Sequence, residues 1–242
     1  MKIKLEDPTV FAKSIDLISE LVLEVRIKLN EFGLSIIAID PANVAMVALK
    51  IPKSAFSEFE AEEESLGVNL DNLKKVLRRC GKTGSLILEK NENILEIKIL
   101  DKIKRVFSLN LIEIEAEDKE FPSHLEFSSK VEINSQDLID SIEDCNVVSD
   151  ACSFIIQDGK FIVEAKELNS ARSEFSDDLV KIEAENCQSR YSIDYLQKFL
   201  KAGKQFEKTF LNFSNDHPIK IDFRSEHLSL SFLLAPRIET ED

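Results

Sequence analysis

Four cations crowd one short stretch of this 242-residue chain: Lys74, Lys75, Arg78 and Arg79, with Lys82 just beyond. A second stretch carries Lys198 and Lys201, with Lys204 following, and Lys13 lies near the N-terminus. Spacings of three and four place such side chains on one side of a helix, off its apolar stripe. A row of cations without interleaved aromatics favours phosphate contact over base stacking. Contacts of that kind are many, weak and blind to sequence. They suit sequence-independent contact with nucleic acid rather than base readout.

Chemistry of other kinds finds no support. His124, His217 and His227 lack metal-ligand spacing, although a hairpin could bring His217 and His227 together. There is no phosphate-cradling glycine loop, dinucleotide fingerprint, zinc-protease motif or nucleophile elbow. No catalytic residue, metal or cofactor is therefore expected, and the chain is read as a non-enzyme. Cys80, Cys145, Cys152 and Cys187 form no C-x-x-C pair. Cys80 and Cys145 fall on helical apolar stripes and read as buried thiols rather than ligands or a disulfide.

Taken alone, the overall balance argues against nucleic acid: 31 basic and 45 acidic residues give −14. A uniformly acidic surface repels phosphates. Any nucleic-acid role therefore requires that the basic residues be segregated, as the two cationic stretches are. No apolar run reaches the ~18 residues that span a bilayer, and no signal-peptide core opens the chain. The reading is an intracellular protein with no membrane partner.

The elements that must position these cations are mostly strands. Alternating or β-branched runs occur at 2–6, 24–30, 34–39, 44–51, 86–89, 94–99 and 106–111. They recur at 130–134, 152–157, 161–165, 180–184, 209–213, 219–223 and 228–233. Helical spacing appears at 9–21, 71–80, 135–145 and 194–202. The second and fourth helical segments match closely, Lys75 aligning with Lys198 and Arg78 with Lys201. Asp71 and Asp194 stand where an N-cap carboxylate would accept orphan amides. Phe11, Ile15 and Gly33 find counterparts in Leu138, Ile142 and Gly159, at a shift of about half the chain. The pattern reads as an internal duplication. The halves are joined at 112–127 by an acidic stretch with Glu113, Glu115, Glu117, Asp118 and Glu120, interrupted at Phe121-Pro122. Pro122 disfavours helix before it, so the stretch reads as an extended connector.

Several stretches resemble the proliferating cell nuclear antigen family of sliding clamps. They are Gly67-Val68-Asn69-Leu70 before the basic helix, Gly33 to Asp40 followed by Val44-Ala45-Met46-Val47, and Tyr195-Leu196 with Phe199 and Lys201-Ala202. The most specific is Leu234-Ala235-Pro236-Arg237-Ile238-Glu239. Together they run the length of the chain in family order. The resemblance implies an α+β DNA-clamp fold: two similar domains, each with two helices on β-sheets, assembling into a trimeric ring with duplex DNA inside. The expected division is 1–111, a connector at 112–127, and 128–242.

The resemblance also distributes roles. Lys13, Lys74, Lys75, Arg78, Arg79, Lys82, Lys198, Lys201 and Lys204 would face DNA. A partner pocket would be built from Ile39, Asn43, Val44, Met46, Phe121, Pro122, Pro218, Phe232, Leu233, Ala235, Pro236 and Ile238, receiving a short helical turn with apolar anchors. Subunits would close by strand pairing between Arg105, Phe107, Leu109 and Leu111 on one edge and Asn169, Ala171, Ser173 and Phe175 on the other. Implied partners are duplex DNA, DNA polymerase, flap endonuclease, DNA ligase and a clamp loader. Sister subunits would be identical or different copies, and the compartment cytoplasmic if archaeal or nuclear if eukaryotic. One departure stands out. The third helix carries Asp137, Asp140, Glu143 and Asp144 and no Lys or Arg. Either it makes no DNA contact, or it faces a neighbouring subunit that supplies the charge. A checkpoint-type clamp subunit and an acidic protein-binding scaffold without a DNA role are the alternative readings.

Overall fold

The computed structural model describes residues 1–81, 84–115, 119–122, 124–176 and 178–238. Lys82, expected to face DNA, lies outside them, as do Glu117 and Asp118 of the connector. The chain divides into two compact units. The first comprises Met1–Asn43, Val47–Phe121 and Ser225–Leu230. The second comprises Val44–Met46, Pro122–Arg224 and the segment from Ser231.

The first unit begins with β1 (Lys2–Leu5), α1 (Thr9–Ile18), β2 (Glu24–Asn30), β3 (Gly33–Ile39) and β4 (Ala45–Pro52) from Val47 onward. It continues through β5 (Glu58–Glu60), β6 (Glu64–Asn69), α2 (Leu70–Leu77), β7 (Ser85–Asn91), β8 (Ile94–Leu100) and β9 (Lys104–Asn110). One sheet has the order β5-β1-β7-β8-β9, so β9 is an edge strand. A second ladder runs β4-β3-β2-β6. Strand faces alternate as the sequence does: in β8, Leu95, Ile97 and Ile99 are fully buried and their neighbours are not.

The second unit contains β10 (Ser129–Asn134), α3 (Ser135–Asn146), β11 (Ala151–Gln157), β12 (Lys160–Lys166), β13 (Ser170–Phe175) and β14 (Val180–Ala184). It is completed by β15 (Cys187–Ser192), α4 (Ile193–Gly203), β16 (Lys208–Phe213), β17 (Ile219–Ser225) up to Arg224, and β18 (Leu228–Leu234) from Ser231 onward. A four-stranded sheet has the order β13-β12-β11-β15, with β13 at its edge. The other run is β14-β10-β16-β17-β18. Its core is aromatic. Phe154 meets Phe161 and Tyr191 edge-on, both at 5.6 Å, and Phe199 stacks on Phe232 at 4.4 Å. Each fully buried ring contributes about 1.5–3 kcal/mol of transfer free energy.

The helices pack in pairs within each unit, α1 on α2 and α3 on α4. Each turns its apolar stripe inward. In α2 the buried residues are Leu70, Leu73, Val76 and Leu77. In α4 they are Ile193, Leu196, Phe199, Leu200, Ala202 and Gly203. The expected aspartate caps are corrected here. Helix α2 starts one residue earlier, and Asn69 is its N-cap, accepting from the Asn72 amide at 3.1 Å. Asp71 and Asp194 lie instead in the first turn, where a carboxylate favours the positive end of the helix dipole. The reason is that β6 and β15 lead straight into their helices, leaving no loop residue to cap. Helix α2 also ends before Cys80, which is half-buried, whereas Cys145, Cys152 and Cys187 are buried; all four are free thiols.

Two glycines mark close approaches. At Gly33 the backbone has φ +137, and a Cβ there would lie 2.2 Å from the Ile51 carbonyl oxygen. A Cβ at Gly67 would lie 2.0 Å from the Ile112 carbonyl oxygen. The chain just after β9 runs along β6 at this point, the Ile112 amide donating to the Gly67 carbonyl at 2.9 Å. Arg26 donates to the Ile114 carbonyl just beyond. No described helix is long and apolar enough to cross a membrane.

Candidate nucleic-acid interface

The cations of α2 are held by its partner helix. Spacing by four places Lys74 and Arg78 on the side of α2 that meets α1. Arg78 donates to Asp16 Oδ1 at 2.7 Å, and Lys74 Nζ lies 3.5 Å from the same oxygen. Lys74 also donates to Ser19 Oγ at 2.9 Å. Lys75 and Arg79 are exposed and form no ion pair among the described residues. On α4, Lys198 lies over the Tyr195 ring at 5.1 Å, a cation–π contact that orders the side chain. Lys201, Lys204 and Lys13 are exposed. The two basic helices thus present cations on the surface of each unit. On α3, Asp137, Asp140, Glu143 and Asp144 are all exposed, and Asp140 accepts from Gln136 at 2.6 Å.

Edge strand β9 pairs with β8 on one side only among the described residues. Arg105, Phe107 and Leu109 are half-buried on one face, with Val106 49% exposed between them. Leu111 follows the strand, and its amide donates to the Asn93 carbonyl at 2.8 Å. Amide direction alternates along a strand, so Leu109 shares this inward direction, while Val106 and Ser108 point their amides away from β8. On β13, Ala171 and Ser173 are half-buried and Asn169 precedes the strand. Phe175 ends β13 with its ring buried and stacked on Phe161 at 5.7 Å. Only its backbone remains at the edge.

The expected pocket residues fall in both units. Within the second, the Ala235 amide donates to the Val44 carbonyl at 2.8 Å, tying the C-terminal segment to the start of β4. Met46, Leu233, Ala235, Pro236, Pro122 and Pro218 are half-buried, and Ile238 is 70% exposed. Farther along, the Arg237 amide donates to the Arg190 carbonyl at 2.7 Å, and its guanidinium to Asp150 at 2.8 Å. The Asp150 carboxyl is held below its usual range chiefly by that hydrogen bond. Phe232 is corrected: it is 0% exposed and belongs to the core with Phe199 and Phe223. Adjacent strand residues face opposite ways, so Leu233 and Phe232 cannot both line a surface pocket.

Within the first unit, Ile39 and Asn43 line a cleft of ≈ 330 Å³ with Arg26 and Lys119 among its walls, and Phe121 is half-buried. Asn43 adopts φ 57, which asparagine tolerates. The turn is set by the Asp40 carboxylate accepting from the Ala42 amide at 3.1 Å. His217 sits in the second unit, edge-on to Phe127 at 5.4 Å. His227 belongs to the first unit, and no metal-binding cluster occurs among the described residues.

Known proteins share both sequence and fold. A family model described as proliferating cell nuclear antigen, N-terminal domain, matches residues 1–121. The DNA polymerase sliding clamp of Thermococcus onnurineus is 37% identical over 238 residues, covering 95% of each chain. That of Methanothermobacter thermautotrophicus is 34% identical over 249 residues, covering 100% of this chain and 99% of its own. Among solved structures, the proliferating cell nuclear antigen of Thermococcus kodakaraensis superposes with a TM-score of 0.91 at 26% identity, covering 98% of this chain and 99% of that one. A chain of a PCNA2–PCNA3 complex from Sulfolobus tokodaii gives 0.89 at 26% identity, with 99% and 100% covered.

Proposed function

The chain belongs to the proliferating cell nuclear antigen family of DNA polymerase sliding clamps, and on that footing we propose how its surfaces divide the work. It is a clamp subunit and processivity factor. In this reading it joins a ring around duplex DNA and tethers polymerase to the template without making or breaking bonds. The observation that carries the reading is repetition: Lys75 and Arg78 recur as Lys198 and Lys201 at matching places in two helices of a chain carrying −14. These cations hold the duplex loosely through phosphates, so every register of the DNA is equivalent and the ring slides.

Closure joins unlike edges. Helix α2 packs beside β9 and α3 beside β13. One edge is thus flanked by cations and the other by Asp137, Asp140, Glu143 and Asp144. A head-to-tail contact brings the acidic helix toward the basic one, giving the third helix a closing role rather than a DNA role. The protomers of the ring number three, identical or not. Val44, Met46, Leu233, Ala235, Pro236 and Ile238 offer an apolar surface for polymerase, with flap endonuclease, DNA ligase and the clamp loader as further partners.

Primer extension on a primed single-stranded circle tests the reading. With a clamp loader, ATP and a family polymerase, addition of the assembled ring should lengthen products from single binding events. Product lengths unchanged by a ring of verified size would contradict it.

A further inference from the structure

Asp16 stands out among the acids near the basic helices because it faces α2 directly. Its Oδ1 accepts from Arg78 at 2.7 Å and lies 3.5 Å from Lys74 Nζ. Ser19, whose hydroxyl oxygen accepts a hydrogen bond from Lys74 Nζ at 2.9 Å, in turn donates to the Asp16 backbone carbonyl at 2.6 Å. One carboxylate thus engages two of the four cations around α2, and Ser19, the residue that caps the end of α1, bridges Lys74 to the Asp16 backbone. The Arg78–Asp16 pair remains open to solvent, its side chains 63% and 42% exposed, whereas Lys74 is 19% exposed. Ion pairs so exposed are weak and exchange readily.

We propose that Asp16 is an internal competitor for DNA phosphate, setting how tightly this helix grips the duplex. The inference rests on the reading that α2 faces DNA. A phosphate reaching Arg78 must displace a carboxylate already in place, so each contact gains less than it would at an unpaired cation. When the duplex moves on, the carboxylate returns, and the cation is never left unpaired. Both effects flatten the energy profile for sliding. The same exchange limits counterion release, because a neutralised cation has fewer ions of its own to shed. Lys75 and Arg79, without such a carboxylate among the described residues, supply the residual attraction.

The test uses the assembled ring with four versions of the chain: wild type, Asp16→Asn, Arg78→Gln, and both together. Affinity for a long duplex is measured across a salt series, and one-dimensional diffusion is followed for rings loaded on stretched DNA. Asp16→Asn should tighten binding about two- to fivefold, the worth of one exposed ion pair. It should also slow diffusion and steepen the salt dependence, and adding Arg78→Gln should reverse most of the gain. If Arg78→Gln weakens binding while Asp16→Asn changes neither affinity nor diffusion, the competitor role is overturned and the DNA-facing reading stands. If neither substitution changes anything, the DNA-facing reading falls and takes the proposal with it. Melting and sedimentation establish that each variant folds and assembles, and Asp16→Ala provides an independent replacement should the asparagine variant fail.

Discussion

Arg105, on edge strand β9, donates to the backbone carbonyl of Arg79 at the end of α2, 2.9 Å away. It also pairs with Asp101. One side chain therefore fastens an edge strand to the basic helix. Within the first unit, the edge proposed for closing the ring and the cations proposed for DNA are thus joined by one side chain.

The edge itself is testable at Ser108. Its amide points away from β8, and a proline with its missing donor on the open side of an edge strand is tolerated by the fold. Ser108→Pro should leave the subunit folded, yet remove a donor that a neighbouring strand would need. Sedimentation should show a weakened ring, and a ring of normal size and salt stability would remove the edge assignment. A proline at Leu109 is less informative, since its amide direction is inward and the damage would fall on the sheet.

Partner binding separates surface from core. Met46→Ala combined with Pro236→Ala should weaken a clamp-interaction peptide by about tenfold or more, since a few apolar anchors carry most binding energy. Assembly should persist. Phe232→Ala should instead cost about 3–5 kcal/mol of stability through the cavity it leaves. Calorimetry and chemical denaturation read the two effects. Unchanged peptide affinity in the double variant would sink the surface assignment, and a fully stable Phe232→Ala would sink the core one.

The sequence showed the cations and the duplicated helices plainly, because helical spacing and charge survive translation into one dimension. Four strands were harder. In β15, the buried positions are Cys187, Ser189 and Tyr191, so small and polar residues point inward and blur the alternation. In β6, Gly67 weakens the strand signal, and its purpose appears only when Ile112 is seen against it. Strand β5 has three residues, too few for a pattern, and β13 alternates exposed and half-buried positions with little apolar content. The caps failed for a related reason: Asp71 looks like a cap until the strand-to-helix junction moves that role to Asn69. Asp16 could be noticed only in three dimensions, since its partners lie about sixty positions away.

Stability should respond to pH at the extremes. The carboxyls of Glu58, Glu89, Glu132 and Glu174 lie below their ordinary range, chiefly through hydrogen bonds from Lys2, Lys98, Lys208 and Lys160. Their stabilisation is present above the unfolded carboxylate range, ~4.3, and is lost as pH falls through the lower folded values. Lys2, Lys98 and Lys208 are raised by the same bonds. Their share is complete below ~10.4 and is lost as pH rises through the folded values. Melting temperature should therefore be flat near neutrality and fall at both ends, less steeply in high salt. A midpoint drop between about pH 7 and 6 would point instead to histidine.

The repeated cations can be reversed in place. Lys75→Glu with Lys198→Glu should keep fold and ring: Lys75 is exposed, where change usually costs within about 0.5 kcal/mol, and half-buried Lys198 gives up only its contact with the Tyr195 ring. Processive synthesis should nevertheless fall, while neutralising Asp140 and Glu143 should have no comparable effect on DNA. Full processivity from an intact ring carrying both reversals would reduce these lysines to a solvated face.

Encirclement is tested most directly by retention on closed and cut DNA. Rings loaded onto a nicked circle are passed through a sizing column in high salt, before and after the circle is linearised. The clamp should stay with the circle and slide off the linear form, because the link is topological and the phosphate contacts are weak. Equal loss from both forms, with loading and ring integrity verified, would contradict encirclement and leave a protein that merely adheres to DNA.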